Sequence, residues 1–128
     1  MYASLNRLAA LLAFLLGALS IVAGRQAAAG WDPGYSVLSW LPLYNLVMGV
    51  WTVLVPAIMI WRSSRFAVPV SVGTLATHAA VLVLLLSGAI GDPAKQSLLA
   101  MTFRVGVWLA VLGLLAIQSR RRAPSAGR

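Results

Sequence analysis

The chain has 128 residues, 61% of them hydrophobic and 9% charged, with a net charge of +8 and no cysteine. That balance excludes an ordinary soluble domain, whose surface needs far more polar residues, and it removes disulfides and thiolate metal sites. The basic excess does not describe a nucleic-acid surface, because the arginines gather at the ends of apolar stretches and no basic face with interleaved aromatics occurs.

Four apolar stretches, 8–23, 41–61, 67–90 and 98–117, each approach the roughly 20 residues that cross about 30 Å of hydrocarbon as a helix. They predict an all-α fold, a polytopic membrane protein folded as a four-transmembrane-helix bundle. One domain is expected over 1–122, with helices at about 5–24, 40–61, 67–90 and 96–118, followed by a disordered cytoplasmic tail at 123–128.

The first helix carries Ala9, Ala13 and Gly17 on one stripe, continuing to Ser20 and Gly24. Such small residues let neighbouring backbones approach, which is how membrane helices pack without water to drive them together. Arg7, the apolar run and Ala27-Ala28-Ala29 before Gly30 also have the outline of a secretory signal peptide. The run exceeds the usual 7–15 residues, however, and Arg25 lies between it and the alanine cluster. Cleavage there would leave three helices. Gly30, Asp32, Pro33 and Gly34 then break the chain, with Trp31, Tyr35, Trp40 and Tyr44 placed for a membrane interface.

The second helix shows Asn45, Gly49, Thr52 and Pro56 on one face. Pro56 lacks an amide hydrogen and should kink the helix, freeing the Thr52 carbonyl for its own hydroxyl or a neighbouring helix to satisfy. Trp61 and Phe66 mark the next interface, beside Arg62 and Arg65. The third helix aligns Ser71, Thr74 and His78; Gly91-Asp92-Pro93 forms the following turn, with Asp92 able to cap the last helix. In the fourth, Thr102, Gly106, Ala110 and Gly113 fall within about 80° of one another. Helix-packing residues are therefore expected at Ala9, Ala13, Gly17, Gly49, Gly106, Ala110 and Gly113. Aligning Gly49-Val50-Trp51 with Gly106-Val107-Trp108 also brings Arg65 onto Arg122, a hint of a duplicated hairpin.

Charge sets the expected orientation. Arg7, Arg62, Arg65, Arg120, Arg121, Arg122 and Arg128 share one side of the membrane, against Arg25 and Lys95 on the other. The positive-inside rule then places both termini in the cytoplasm of a bacterial-type inner membrane.

Three polar residues are costly where they stand: Asn45, His78 and Arg104. Insertion scales charge about 2.5–3.5 kcal/mol for an arginine at mid-membrane, so ionisable groups there are functional candidates. One reading assembles Asn45, Thr52, Ser71, Thr74, His78 and Arg104 into a substrate or ion path. In it, Arg104 attracts an anion, a headgroup phosphate or a quinone carbonyl, and His78 relays protons. Another has Arg104 face lipid or a partner and snorkel, because it points about 160–180° from the Gly106 stripe, with Trp108 beneath it. A third pairs Arg104 with Asp92. For His78, the bland expectation is a hydrogen bond to Thr52 or Asn45.

No catalytic set, metal cluster or cofactor motif emerges. His78 is the single histidine, and both acids lie in loops. The chain lacks the Asn and Glu pattern of small glutathione-using membrane enzymes and the membrane-embedded Glu of small multidrug exporters. The leading expectation is a non-enzymatic accessory or oligomeric membrane component, with the lipid bilayer and a second copy or another membrane subunit as partners. A small transporter or channel for an anion or weak acid is the alternative. A lipid- or quinone-binding enzyme comes third, since no acid–base pair stands at one depth.

Overall fold

The computed structural model describes residues 2–30, 38–88 and 94–126. Within them the chain is helical: α1 (Tyr2–Ala28), α2 (Leu41–Leu54), α3 (Pro56–Trp61), α4 (Ala67–Ser87) and α5 (Lys95–Ala126). Four segments are long and apolar enough to cross a membrane, Leu5–Ala27, Leu41–Trp61, Ala67–Ser87 and Lys95–Arg120. The shortest has 21 residues, about 32 Å at 1.5 Å per residue. The expected loop around Asp32, with Trp31 and Tyr35, and the Asp92-Pro93 turn lie outside the described residues, as does Arg128.

α2 and α3 form one span broken at Val55, whose φ of −113° and ψ of −77° depart from the helix. Pro56 is the cause: its ring displaces the preceding turn, and it cannot donate to Thr52. The helix resumes at once, with the Val55 amide on Trp51 O and the Met59 amide on Val55 O, each at 2.9 Å. The Thr52 hydroxyl donates to Met48 O at 2.6 Å, so it does not serve its own residue's freed carbonyl. α4 ends at Ser87, three residues before the expected position 90, because Gly88 takes a left-handed conformation (φ +71°) and stops the helix. α5 runs the other way, beyond the expected end at 118 and into the segment read from composition as disordered. The arginines after Gln118 are good helix formers once the helix is nucleated.

The contacts close a ring: α1 packs on α2, α3 and α5, and α4 on α5 and α3. α1 and α2 meet through glycine. A Cβ on Gly49 would fall 2.8 Å from Gly17 O and Ile21 N, and one on Gly24 would fall 2.7 Å from Leu46 N and Pro42 O. Ala9 and Ala13 are fully buried in the core that also holds Ile60, Trp108 and Val111.

On α5 the expected packing face is reversed. Thr102, Gly106, Ala110 and Gly113 are exposed, and a Cβ on Gly106 or Gly113 would meet nothing within 4 Å. The buried stripe is instead Met101, Arg104, Trp108, Val111, Leu115 and Gln118. Energy decides the rotation. Turning a guanidinium outward into hydrocarbon costs kilocalories, whereas small residues lose little there. The duplicated hairpin gains no support either: Gly49 is buried and Gly106 exposed, while Trp51 is exposed and Trp108 fully buried.

The finished surface inverts a soluble protein. Leu19, Leu43, Val83, Leu86 and Phe103 are exposed, while Asn6, Thr52, Ser71, Thr74, His78, Arg104 and Gln118 are buried. Such a surface suits an apolar solvent, with polar groups turned inward to find one another.

Candidate functional site

Arg104 and His78 are brought to one level by the antiparallel run of α4 and α5. His78 precedes the end of α4 at Ser87 by nine residues, and Arg104 follows the start of α5 at Lys95 by nine. Each is therefore about 14 Å from the same end of the bundle. Both are buried, with exposures of 3% and 9%.

α2 supplies the partner of each. Arg104 Nη1 donates to Asn45 Oδ1 at 2.5 Å. The Tyr44 hydroxyl lies 2.7 Å from His78 Nδ1, donating to it when the imidazole proton sits on Nε2. The two rings meet edge to face at 5.8 Å between centroids, and Trp40 packs on Tyr44 in the same manner at 6.2 Å. Because Tyr44 and Asn45 are consecutive, one turn of α2 ties both pairs together.

This arrangement corrects several expectations. His78 bonds to Tyr44, not to Thr52 or Asn45. Tyr44, expected at the interface with the loop aromatics, falls instead on the inward face with Leu41, Met48 and Thr52 at helical spacing. Arg104 faces inward, and Trp108 is enclosed in the core instead of lying beneath it. The cation–π contacts among the described residues are Arg7 over Trp61 at 5.3 Å and Arg65 over Phe66 at 4.8 Å.

The rest of the expected path is buried but not strung together. Thr74 donates to Val70 O at 2.9 Å and accepts from Trp51 Nε1 at 3.0 Å. Trp51 is a cross-helix partner the sequence reading missed. Thr52 serves Met48 O, and Ser71 Oγ is buried with no partner. Among the path residues, the hydrogen bonds join Arg104 to Asn45 and do not form a chain.

Beside Arg104, a groove of about 350 Å³ opens between α1 and α5, lined by Ser20, Ala23, Gln26, Ala100, Phe103 and Arg104. Ser20 donates to Leu16 O at 2.9 Å. A larger groove, about 460 Å³, lies between α1 and the broken span, walled by apolar side chains such as Phe14, Val53 and Ile58, and Val55 at the kink lines another with Met59, Arg62 and Ser64. Neither groove is lined by Tyr44, Asn45, His78 or Arg104. Among the described residues no cluster of histidines or acids could hold a metal ion.

Removing the Tyr44 hydroxyl isolates this contribution. Tyr44→Phe leaves His78 Nδ1 without its partner and should cost about 1–2 kcal/mol, read from the unfolding midpoint of purified protein. Tyr44→Phe combined with His78→Leu should recover part of that loss. A Tyr44→Phe variant as stable as wild type would show that the bond carries nothing.

The geometry defines a class: an all-helical chain with four potential membrane spans and a largely buried basic, aromatic and amide cluster beside one groove. The chain matches no protein-family model, no curated protein and no solved structure.

Proposed function

We propose that this chain is a non-enzymatic, multi-pass component of a bacterial-type inner membrane that receives an anionic headgroup or weak acid, sideways from the bilayer, at Arg104. Both termini lie in the cytoplasm on this reading, following the excess of arginine on their side, and Arg104 serves the outer leaflet. The observation that carries the reading is a buried cation with a neutral partner. Arg104 has five donors, its one hydrogen bond among the described residues reaches the Asn45 amide, and it lines the groove of α1 and α5. An amide satisfies one donor but cancels no charge, so an incoming carboxylate or phosphate is the natural complement.

Transport of such an acid is a second reading, favoured by Ser71, Thr74 and His78 being buried along one face of α4. The exposed Thr102, Gly106, Ala110 and Gly113 stripe, and not the Arg104 face, is the surface we now assign to a second copy or a partner subunit.

Native mass spectrometry of detergent-purified protein tests the main reading. Phosphatidylglycerol and oleate should be retained about tenfold better than phosphatidylcholine, and Arg104→Gln should abolish that preference. Equal retention of all three by the wild type would end the proposal. Flux of a weak acid in proteoliposomes, lost in His78→Ala, would add transport to binding.

A further inference from the structure

At the other end of the bundle, where α1 begins and α5 leaves the core, lies a polar cavity unrelated to Arg104. It measures about 330 Å³ and is lined by Asn6 of α1, Ser63, Ser64 and Arg65 of the turn between α3 and α4, and Gln118 and Ser119 of α5. Gln118 is 3% exposed, and its Oε1 is buried without a hydrogen-bond partner. Leaving a buried acceptor unmade is expensive, and Gln118 follows the apolar Trp108, Val111 and Leu115 on the buried stripe of α5. A leucine would pack there without that cost.

The neighbouring groups are held in place. Asn6 Nδ2 donates to Ser63 Oγ at 2.6 Å, and Ser63 has a left-handed φ of 54° that only a few per cent of non-glycine residues adopt. Ser64 Oγ accepts from the Phe66 amide at 3.2 Å, which leaves its hydroxyl proton free to donate. The Arg65 guanidinium rests on the Phe66 ring, at the exposed rim of the same cavity. Gln118, which carries this buried acceptor, thus lines one cavity with hydroxyls and a cation, in a space with room for about ten waters.

We propose that this cavity binds a phosphate ester that carries its own ammonium N–H donor, as an ethanolamine phospholipid headgroup does. The phosphate meets Arg65 and Ser64, and the ammonium donates to Gln118 Oε1. A choline headgroup has the same charges but no ammonium hydrogen, so it cannot make the inner bond. The site therefore discriminates by a donor and not by charge.

The full-length protein in detergent, titrated with phosphatidylethanolamine, phosphatidylcholine and soluble O-phosphoethanolamine, provides the test. Phosphatidylethanolamine should bind about tenfold more tightly than phosphatidylcholine, the difference one hydrogen bond makes. Gln118→Leu, which fills the same space without an unpaired oxygen and should fold, is expected to erase the difference. Gln118→Glu should keep or widen it. Competition by O-phosphoethanolamine at equal strength would assign the site to the free molecule, and weaker competition to the lipid; either supports the donor requirement. Equal affinity of the wild type for the ethanolamine and choline lipids would overturn it. Arg104→Gln should leave this selectivity untouched, so the two sites stand or fall separately.

Discussion

Gly49→Ala should force α1 away from α2 and destabilise the protein by about 3 kcal/mol, the upper part of the range for overpacking a tight contact. The added methyl would sit 2.8 Å from both Gly17 O and Ile21 N, atoms of a helical backbone that cannot swing aside as a side chain can. Gly24→Ala meets the Leu46 amide and the Pro42 carbonyl at 2.7 Å and should behave alike. Gly106→Ala and Gly113→Ala are the controls. Nothing lies within 4 Å of either added methyl, and alanine is the better helix former by up to about 1 kcal/mol, so these should be neutral or stabilising. Unfolding in mixed micelles, followed by tryptophan fluorescence, separates the two pairs. If Gly49→Ala proved as harmless as Gly106→Ala, the glycine contact between α1 and α2 would not exist as described.

The same four glycines show what can be read from a sequence of this kind. Length and hydropathy mark each of the four potential spans, because the number of residues that cross hydrocarbon is fixed by helix rise. Proline and glycine punctuation locates the break at Pro56 and the region where α4 stops. Rotation about each helix axis is harder. In a chain apolar on every side, a stripe of small residues is a weak signal, and on α5 it named the wrong face. One guanidinium outweighs it, since burying Arg104 beside Asn45 is worth more than seating Gly106 and Gly113 against a neighbour. Tyr44 was missed for a related reason. Aromatic residues near a span end suit an interface, and only the partner His78 on another helix draws this one inward. The helical spacing from Tyr44 to Met48 and Thr52 was the available clue. Gln118 is hidden for another reason: it stands at the expected end of its helix, where a polar residue draws no notice.

Asn45→Leu should be more damaging than Arg104→Leu, although the arginine is the larger and charged member of the pair. Removing the amide leaves a buried guanidinium without its protein acceptor, and hydrogen bonds to charged groups are worth about 1.5–3 kcal/mol. Removing the guanidinium leaves only a neutral, half-buried amide unpaired, at about 1 kcal/mol. The double variant, with leucine at both positions, should be at least as stable as Asn45→Leu alone, because a buried charge and its only partner disappear together. The cycle of four proteins then yields a coupling of about 1–2 kcal/mol. An anionic amphiphile adds a further arm. If Arg104 receives such a group, oleate should restore part of the stability that Asn45→Leu loses, by supplying the missing acceptor and the countercharge together. It should do nothing for Arg104→Leu. A coupling near zero would mean that Arg104 and Asn45 do not depend on each other. Rescue of both single variants by oleate would mean that the amphiphile acts on the fold in general, not at the guanidinium.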